Sequence, residues 1–471
     1  MKTSFFQKTM SKGLLAFILF FAASFTMAQG RRTGQPGKAF EIQVTPYKTT
    51  MLANGKDIAE INIKIIDNHG DFVPDAKIAL AVHIKGDAQI TKVEHADGPD
   101  NIDLKDSLVK FNITGSCQIS LLAGLTRGNI LFKATADTLW PGSTEIHTVQ
   151  LGIAHKVTEL NYVPQKVNDK ILGADVSFLP QLENRGIKFS DKGTPGDAIE
   201  IMKAHGFNYI RLRIFNEPAN PKGYSPKQGF CDLEHTKQMA KRIKAAGMKF
   251  LLDFHYSDYW ADPQQQYKPA AWLGQDFTKL KKSLYEYTTN VMQQLKDQGT
   301  APDMVQVGNE INHGMVWPEG EINNLDSLAQ LIYEGVKAVK KVNPSTAVML
   351  HIALGGQNLE SKFFLDEMKE RNVPFDVIGL SYYPKWHGTL DDLKNNMADL
   401  AKTYKQQVMV AEYSQLKKEV NDIAFSVPDG KALGTFIWEP LSTWEAIFDR
   451  SGKSNEFINV YPEIAKKYGV K

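Results

Sequence analysis

The chain has 471 residues, of which 42% are hydrophobic and 23% are charged, and its formal net charge is +2. This composition is typical of a globular protein with room for two domains, and it excludes a collagen-like, a disordered and a multispanning membrane protein. A charge so close to zero provides no basic face, so we expect no nucleic-acid partner.

The first 28 residues have the pattern of a secretory signal peptide. Lys2, Lys8 and Lys12 precede an apolar stretch over 14–25, and the small residue Ala28 precedes the expected cleavage point. The apolar stretch is short for a permanent membrane span, which makes an uncleaved anchor the weaker interpretation. Loss of the three lysines would change the formal charge from +2 to −1. We predict a monomer, secreted, periplasmic or at the cell surface, with no transmembrane segment in the mature chain.

Residues 29–38 are rich in Gly, Arg and Pro and predict a linker, and residues 39–158 predict an all-β domain. Apolar and polar residues alternate in this second region, and turn signals such as Asn54-Gly55 and Pro141-Gly142 separate the runs. The predicted strands cover 41–44, 60–65, 77–83, 108–113 and 128–134. This pattern predicts a β-sandwich that resembles bacterial immunoglobulin-like modules. We interpret it as a spacer, with glycan binding or attachment as the alternative.

From residue 165 to residue 471, short apolar strands alternate with helical segments. The eight predicted strands cover 171–175, 209–215, 249–255, 304–309, 348–352, 377–382, 408–412 and 434–438. Helices are predicted over 232–246, with Asp232 as its N-cap, and over 277–296 and 327–342. Eight such units predict a (β/α)₈ TIM barrel of the α/β class, which we expect to fold without the sandwich from about Val167 onward. A doubly wound sheet would require a Gly-rich turn after its first strand, and Asp175 is followed by no such turn.

The sequence has two cysteines, Cys117 and Cys231, and the predicted boundaries put them in separate domains. We therefore expect no disulfide to staple the fold.

Polar and aromatic residues follow nearly every predicted barrel strand. Barrel enzymes carry their chemistry at these carboxyl ends of the strands, so this repetition predicts a functional site there. The residues at the eight ends are Asp175, Arg213, His255, Glu310, His351, Tyr382, Glu412 and Trp438.

Two of these residues, Glu310 and Glu412, follow the fourth and seventh strands, which face each other across a closed barrel. Glycoside hydrolysis requires two carboxyl groups in one pocket, one protonated and one ionised. The alternative interpretation is that each glutamate only caps a strand end or pairs with Arg213. Their joint placement, with Asn309 directly before Glu310, favours the catalytic interpretation.

Motifs along 170–471 resemble family 53 of the glycoside hydrolases, the endo-β-1,4-galactanases of type I arabinogalactan. The longest are DFHYSDYWADP at 253–263 and GNEINHGMVWP at 308–318, and shorter matching motifs occupy 173–177, 211–213, 379–384 and 437–440. The resemblance implies a retaining enzyme whose substrate partner is galactan or arabinogalactan.

The resemblance also implies the role of each site residue. Glu310 is expected to be the acid/base, Glu412 the nucleophile, Arg213 the cation that fixes the nucleophile, and Asn309 the ligand of the neighbouring sugar hydroxyl. We expect the remaining substrate contacts to come from Asp175, His255, Tyr382 and Trp438 at the reacting sugar, and from Trp260, Trp317 and Trp386 along a stacking track. For these last three tryptophans, a packed loop anchor is the alternative.

We expect no cofactor and no metal. Several bacterial members of the family have a long calcium-linked insertion after the eighth strand, and the segment after Trp438 is too short for it. Three alternatives remain: a related barrel glycosidase for mannan or glucan, a non-catalytic glycan-binding protein, and a metal-dependent barrel hydrolase. The last would require clustered His and Asp ligands, and the first strand ends only in Asp175.

Overall fold

The computed structural model describes residues 37–97, 104, 107–158, 160–442 and 445–471. The predicted signal peptide and nearly all of the predicted linker lie outside these residues. Within the described ranges, no helix has both the length and the apolar character to cross a membrane.

The N-terminal domain is an eight-stranded, mostly antiparallel β structure. Its strands are β1 (Glu41–Pro46), β2 (Thr50–Leu52), β3 (Ile58–Ile66), β4 (Lys77–Lys85), β5 (Ala88–Asp97), β6 (Leu108–Ala123), β7 (Gly128–Ala136) and β8 (Leu139–Val149). They pair in the order β1-β3-β6-β4-β7-β8-β2, with β5 on β6, and β1 also meets β8 at Glu41 and Trp140. The all-β prediction is confirmed, but β2, β5 and β8 were not predicted. The Pro141-Gly142 pair, predicted to be a turn, lies inside β8.

Alternation along the strands explains the interior of this sandwich. In β3, Ile61, Ile63 and Ile65 are buried, and the residues between them are more exposed. The long strand β6 pairs with β4 before Gly115 and with β3 after it. Gly115 has a φ of +71°, and a Cβ there would lie 2.3 Å from the carbonyl oxygen of Pro74, so only glycine fits at this change of partner.

The rest of the chain forms a closed barrel of eight parallel strands, which confirms the TIM-barrel prediction. In barrel order after β9 (Ile171–Asp175), the strands are β12 (Tyr209–Ile214), β13 (Lys249–Phe254), β14 (Met304–Val307), β15 (Ala347–Ile352), β16 (Val377–Tyr382), β17 (Gln407–Tyr413) and β18 (Ala432–Trp438). A small hairpin, β10 (Ser190–Asp191) and β11 (Thr194–Pro195), lies between β9 and β12.

Helices surround the barrel and begin where the sequence provides caps. The described helices are α1 (Leu179–Asn184), α2 (Ala198–Ala204), α3 (Leu233–Ala245), α4 (Phe277–Asp297), α5 (Leu325–Val342), α6 (Asn358–Glu370), α7 (Leu390–Thr403), α8 (Lys417–Phe425) and α9 (Val460–Tyr468). Asp232 caps α3 by accepting from the backbone N–H of His235 at 2.8 Å, as predicted.

Strand alternation also places the polar residues of the barrel. In β12, Ile210 and Leu212 pack outward against the helices, and Arg211 and Arg213 face the barrel interior. The lower interior is filled by apolar residues, including Leu251, Met304 and Met349. The polar side chains lie toward the carboxyl ends of the strands, where a site can form.

The sandwich packs directly on the barrel. Val149, at the end of β8, and Val157 belong to the same buried apolar cluster as the barrel helices, and Leu52 packs against that cluster. The backbone N–H of Val157 donates to the carbonyl of Arg371 at 2.9 Å. This buried contact argues against the expectation that the barrel is independent of the sandwich.

The two cysteines are free and buried, Cys117 in β6 of the sandwich and Cys231 before α3 of the barrel.

Candidate active site

Glu310 lies on a sharp turn after β14. Gly308 has a φ of +83° and Glu310 a φ of +49°, and a short 3₁₀ helix, Ile311–His313, follows. Positive φ is unusual for a glutamate and indicates that the surrounding structure holds this turn in place. The Ser381 hydroxyl donates to Glu310 Oε1 at 2.6 Å. Burial and the nearby charge of Glu412 raise the pKa of Glu310 well above its ordinary value, so this carboxyl can hold a proton.

Glu412 lies on β17 in a different environment. Its Oε1 accepts a hydrogen bond from Arg211 Nη1 at 2.6 Å, and its Oε2 accepts one from the Tyr383 hydroxyl at 3.1 Å. Burial raises the pKa of Glu412, and the charge and hydrogen bond of Arg211 oppose that rise. A carboxylate held at both oxygens and paired with a guanidinium is suited to remain ionised and act as a nucleophile.

Arg211 is the central cation of the site. Besides Glu412, it donates to Asp175 Oδ2 at 3.1 Å, to Asp253 Oδ2 at 2.8 Å and to Asn309 Oδ1 at 2.9 Å. Although burial opposes the charge, the three surrounding carboxylates raise the pKa of the guanidinium, which stays charged. The fork of Arg211 therefore fixes the positions of four side chains from four strands or strand ends.

The prediction that Arg213 fixes the nucleophile is wrong. The guanidinium of Arg213 is hydrogen-bonded to Glu439 and also donates to the Tyr224 hydroxyl at 3.1 Å. The rings of Phe178, Tyr224 and Trp260 enclose it at 4.8, 5.2 and 4.2 Å. Both arginines of β12 face the barrel interior, and strand periodicity alone does not show which of the two reaches Glu412.

A hydrogen-bonded chain links the two glutamates. Because the Ser381 hydroxyl donates to Glu310, it accepts from His351 Nε2 at 2.8 Å, and His351 Nδ1 accepts from Gln306 Nε2 at 2.9 Å. Gln306 Nε2 also donates to Asn309 Oδ1, which in turn accepts from Arg211. Burial, together with the charge of Arg211, holds the pKa of His351 well below its ordinary value, so the ring is neutral. Sequence reasoning placed His351 at a strand end without a role, and it missed Ser381.

Asn309 is held on both ends of its amide. Its Oδ1 accepts from Arg211 and from Gln306 Nε2 at 3.0 Å, and its Nδ2 donates to the carbonyl of Ala261 at 2.8 Å. These contacts fix the side chain beside Glu310.

Asp175 and His255, both predicted to bind substrate, lie in the buried network that supports the carboxylates. Asp175 accepts from the backbone N–H and hydroxyl of Ser177 and from Arg211. His255 Nδ1 accepts from the N–H of Ala261 at 3.0 Å, which places its proton on Nε2, 3.2 Å from Asp253 Oδ2. Both side chains are buried and hydrogen-bonded within the protein, and their contact with substrate stays a prediction.

The prediction for Tyr382 is wrong by one residue. Tyr382 is 1% exposed, packs between the strands and the helices, and donates to the carbonyl of Gly388 at 3.1 Å. Its neighbours Ser381 and Tyr383 contact Glu310 and Glu412. Because successive strand residues face opposite sides, Ser381 and Tyr383 reach the site and Tyr382 cannot.

Aromatic rings surround the carboxyl pair. Partly exposed Trp438 lies 6.2 Å from Trp260 and 6.5 Å from Tyr383, in edge-to-face arrangements. Trp386 is 42% exposed and lies 6.1 Å from Tyr383. Trp317 lies on the loop of Glu310 and donates from Nε1 to the carbonyl of His313 at 3.2 Å. Trp260, Trp386 and Trp438 thus belong to one aromatic cluster with Tyr383, which contacts Glu412.

No group of three or more His, Cys, Asp or Glu side chains in the described part of the chain has a metal-binding arrangement.

Comparison with known proteins agrees with this geometry. The model of glycosyl hydrolase family 53 matches residues 171–422, and that of glycoside hydrolase family 2 C-terminal domain 5 matches residues 42–145. An uncharacterized protein of Niallia circulans is 39% identical over 312 residues, which are 57% of this chain and 83% of that protein. The endo-beta-1,4-galactanase of Bacillus subtilis is 40% identical over 247 residues, 52% of this chain and 57% of that protein.

Among solved structures, the GH53 catalytic domain of Ignisphaera aggregans is similar, with a TM-score of 0.59 and 32% sequence identity. The similarity covers 65% of this chain and 99% of that domain.

Proposed function

Because this chain belongs to glycosyl hydrolase family 53, we propose that it hydrolyses β-1,4-galactosidic bonds inside galactan, the backbone of type I arabinogalactan, with retention of configuration. Glu310 is the acid/base and Glu412 is the nucleophile. The related endo-beta-1,4-galactanase supports the substrate, and the unlike surroundings of the two carboxyl groups support the roles.

In the first step, Glu412 attacks the anomeric carbon as the bond to the leaving oxygen breaks, and the proton of Glu310 passes to that oxygen. In the second step, Glu310 removes a proton from water. The water oxygen then displaces Glu412 from the anomeric carbon and restores both groups.

The observation that carries this proposal is the placement of Arg211. Its guanidinium contacts Glu412 directly, and in the described structure it is linked to Glu310 through the side chains of Asn309, Gln306, His351 and Ser381. A cation on one carboxylate and a neutral hydroxyl on the other separate their protonation states, as double displacement requires.

The aromatic rings around this pair provide sugar subsites. Trp438 is the proposed floor of the reacting subsite, because an aromatic face matches the apolar side of a pyranose ring. Trp260, Trp317 and Trp386 extend the contact to neighbouring sugars. Trp260 also covers the guanidinium of Arg213, so its substrate contact is limited to the remaining face.

We further propose that the chain is exported by a signal peptide over residues 1–28 and acts as a monomer on polysaccharide outside the cytoplasm. The sequence pattern of basic and apolar residues supports export.

The test is a polysaccharide panel of galactan, arabinogalactan, mannan, glucan and xylan, with new reducing ends counted over time. Galactan should be cleaved fastest, and proton NMR early in the reaction should show the β anomer first. Faster cleavage of mannan or glucan would refute the substrate, and an early α anomer would refute the retaining mechanism.

Glu412→Ala is the matched variant for this test. It should lose several orders of magnitude in kcat, and azide should partly restore turnover because a small anion can replace the missing nucleophile. Near-native activity in Glu412→Ala would remove this residue from the proposed role.

A further inference from the structure

The sandwich contacts the barrel at the loop that carries Glu310. His313 ends the 3₁₀ helix that begins directly after Glu310, and its side chain is 5% exposed. Its Nε2 is hydrogen-bonded to the Thr49 hydroxyl of the sandwich at 2.8 Å, and its ring packs against His147 of β8 with centroids 4.2 Å apart. The sandwich therefore touches the loop three residues from the proposed acid/base.

A buried carboxylate of the barrel strengthens this contact. Glu360, in the first turn of α6, is 1% exposed and accepts from the backbone N–H groups of Thr49 and Thr50 at 2.9 and 2.8 Å. The Thr50 hydroxyl donates to its other oxygen at 2.9 Å, and His313 Nε2 lies 3.5 Å away. Burial alone would raise the pKa of Glu360, but His313 and the threonine donors hold it at about 2. Three donors from the sandwich thus hold an ionised group of the barrel.

His313 and the residues after it are also fixed by contacts within the barrel. His313 Nδ1 donates to the carbonyl of Pro263 at 3.0 Å, and the carbonyl of His313 accepts from Trp317. Gly314 has a φ of +104°, and a Cβ there would lie 2.1 Å from the carbonyl oxygen of Gly320. Only Ile311 and Asn312, both buried in the short helix, separate His313 from Glu310, so we expect a shift of His313 to displace Glu310.

A second contact reaches the loop after β16, which begins with Tyr383. Gln43 of β1 donates to the carbonyl of Lys385 at 2.7 Å, and Lys385 is paired with Glu41 at 2.9 Å. The sandwich thus holds loops that carry contacts to both proposed catalytic groups.

We propose that the N-terminal sandwich is a positioning element of the active site, acting through Thr49, Thr50, Glu360 and His313 on the loop of Glu310. This inference rests on the proposed function. His313 and Glu360 are positioning residues, since they act through the loop and contact no reacting atom.

The test is a single hydroxyl removed from the sandwich of the full-length protein. Thr49→Val deletes the group bonded to His313 and preserves the side-chain volume. Its matched control is Thr148→Val, which deletes a buried hydroxyl that donates to the carbonyls of Thr126 and Gly128 within the sandwich. Both variants should melt at a lower temperature than the wild type.

Only Thr49→Val should change catalysis. We expect its kcat on galactan to fall about tenfold, because small displacements of catalytic groups are costly, with KM nearly unchanged. More water around a loosened Glu310 lowers its pKa, so the alkaline limb of the pH–rate profile should move to lower pH. Equal kcat and equal pH profiles in Thr49→Val and Thr148→Val would overturn the proposal.

A substrate with an activated leaving group separates acid catalysis from general damage. Dinitrophenolate leaves without a proton, so the burst phase of a dinitrophenyl β-1,4-galactobioside should be within about twofold of wild type in Thr49→Val. An equal loss on both substrates would contradict the proposal, since the defect would not be specific to Glu310. If Thr49→Val does not fold, Glu360→Gln supplies the same comparison against Asp326→Asn, which removes an interdomain contact to His155.

The proposed function can fail separately in this design. Wild-type activity on mannan or glucan in place of galactan would refute the substrate, and the ratio of Thr49→Val to wild type would then be measured on that glycan.

Discussion

Arg211 contacts the nucleophile, two aspartates and Asn309 with a single fork, and no other side chain in the described structure combines these contacts. Lysine keeps the charge but offers a point donor in place of a planar fork. At this position the geometry of the cation matters as much as its charge.

Arg211→Lys should therefore reduce kcat about 100-fold, as for the loss of a preorganised donor. Arg211 lowers the pKa of Glu412, so weakening that contact raises the pKa, and the acid limb of the pH–rate profile should move to higher pH. Initial rates on galactan between pH 3 and pH 9 measure the shift. The control, Arg213→Lys, alters the pair with Glu439 and should leave the acid limb in place; a shift there and none in Arg211→Lys would reverse the assignment.

Ser381 influences the alkaline limb of the pH–rate profile, which reports the pKa of Glu310. Its hydroxyl donates to Glu310 and lowers the pKa of that carboxyl. Ser381→Ala removes the donor, so the pKa of Glu310 should rise and the alkaline limb should move to higher pH. A kcat within about tenfold of wild type is expected, because one neutral hydrogen bond is worth roughly 0.5–1.5 kcal/mol. An alkaline limb that stays fixed or moves to lower pH in Ser381→Ala would contradict the role of Ser381 as a hydrogen-bond donor to Glu310.

The residue-level assignments that rest on strand position stay predictions, and two that depend on side-chain contacts, Arg213 and Tyr382, were wrong. Glu310 and Glu412 were identified from the carboxyl ends of two strands. Arg213 was assigned from the family resemblance, and because Arg211 has the same strand parity, only three-dimensional contacts separate the two. The assignment of Tyr382 was avoidable. Side chains alternate along a strand, so if Ser381 faces the site, Tyr383 also faces it and Tyr382 does not.

At the scale of elements, the sequence located all eight barrel strands because each is a short apolar run ending in polar residues. In six of the eight strands, the structure shifts at least one end by one or two residues. The sandwich was harder, because β8 contains a Pro-Gly pair that resembles a turn and β5 mixes polar with apolar residues. Contacts between domains, such as Thr49 with Glu360, leave no local pattern in a sequence.

Deleting the sandwich tests whether the barrel is stable and active without it. A protein beginning at Val167 should melt at a lower temperature and lose activity, because it loses the anchors of His313 and exposes apolar surface that packs on Val149 and Leu52. Thermal melting and galactan assays measure both effects.

The matched variant for this deletion is Glu360→Gln. In the full chain it should cost about 1–3 kcal/mol of unfolding free energy, since it disturbs buried donors. In the truncated chain water replaces those donors, and the same change should cost almost nothing. A truncated barrel with full stability and activity would show that the interface neither stabilises the barrel nor positions the loop of Glu310.

For the whole molecule, the proposed sugar contacts lie on loops after three barrel strands, at Trp260, Trp317 and Trp386, and at the end of β18, at Trp438. Such a site binds a polymer along its length, so cleavage should occur inside the chain.

Unbranched β-1,4-galactan should therefore lose viscosity early, with short galacto-oligosaccharides accumulating and galactose remaining minor. The axial hydroxyl of galactose bends this polymer away from the flat ribbon of cellulose, and cellulose should be cleaved far more slowly. Viscometry with chromatography of the products provides the measurement. Galactose as the dominant first product would indicate attack from a chain end.

The two buried cysteines give each domain its own reporter of unfolding. Burial raises the pKa of Cys117 and of Cys231 to about 12, so neither thiol reacts readily while its domain is folded. Pulsed thiol labelling followed by peptide mass spectrometry would time the opening of the sandwich and of the barrel independently, in one unmodified sample. Simultaneous labelling would identify the two domains as one cooperative unit, and earlier labelling of Cys117 would identify the sandwich as the first to open.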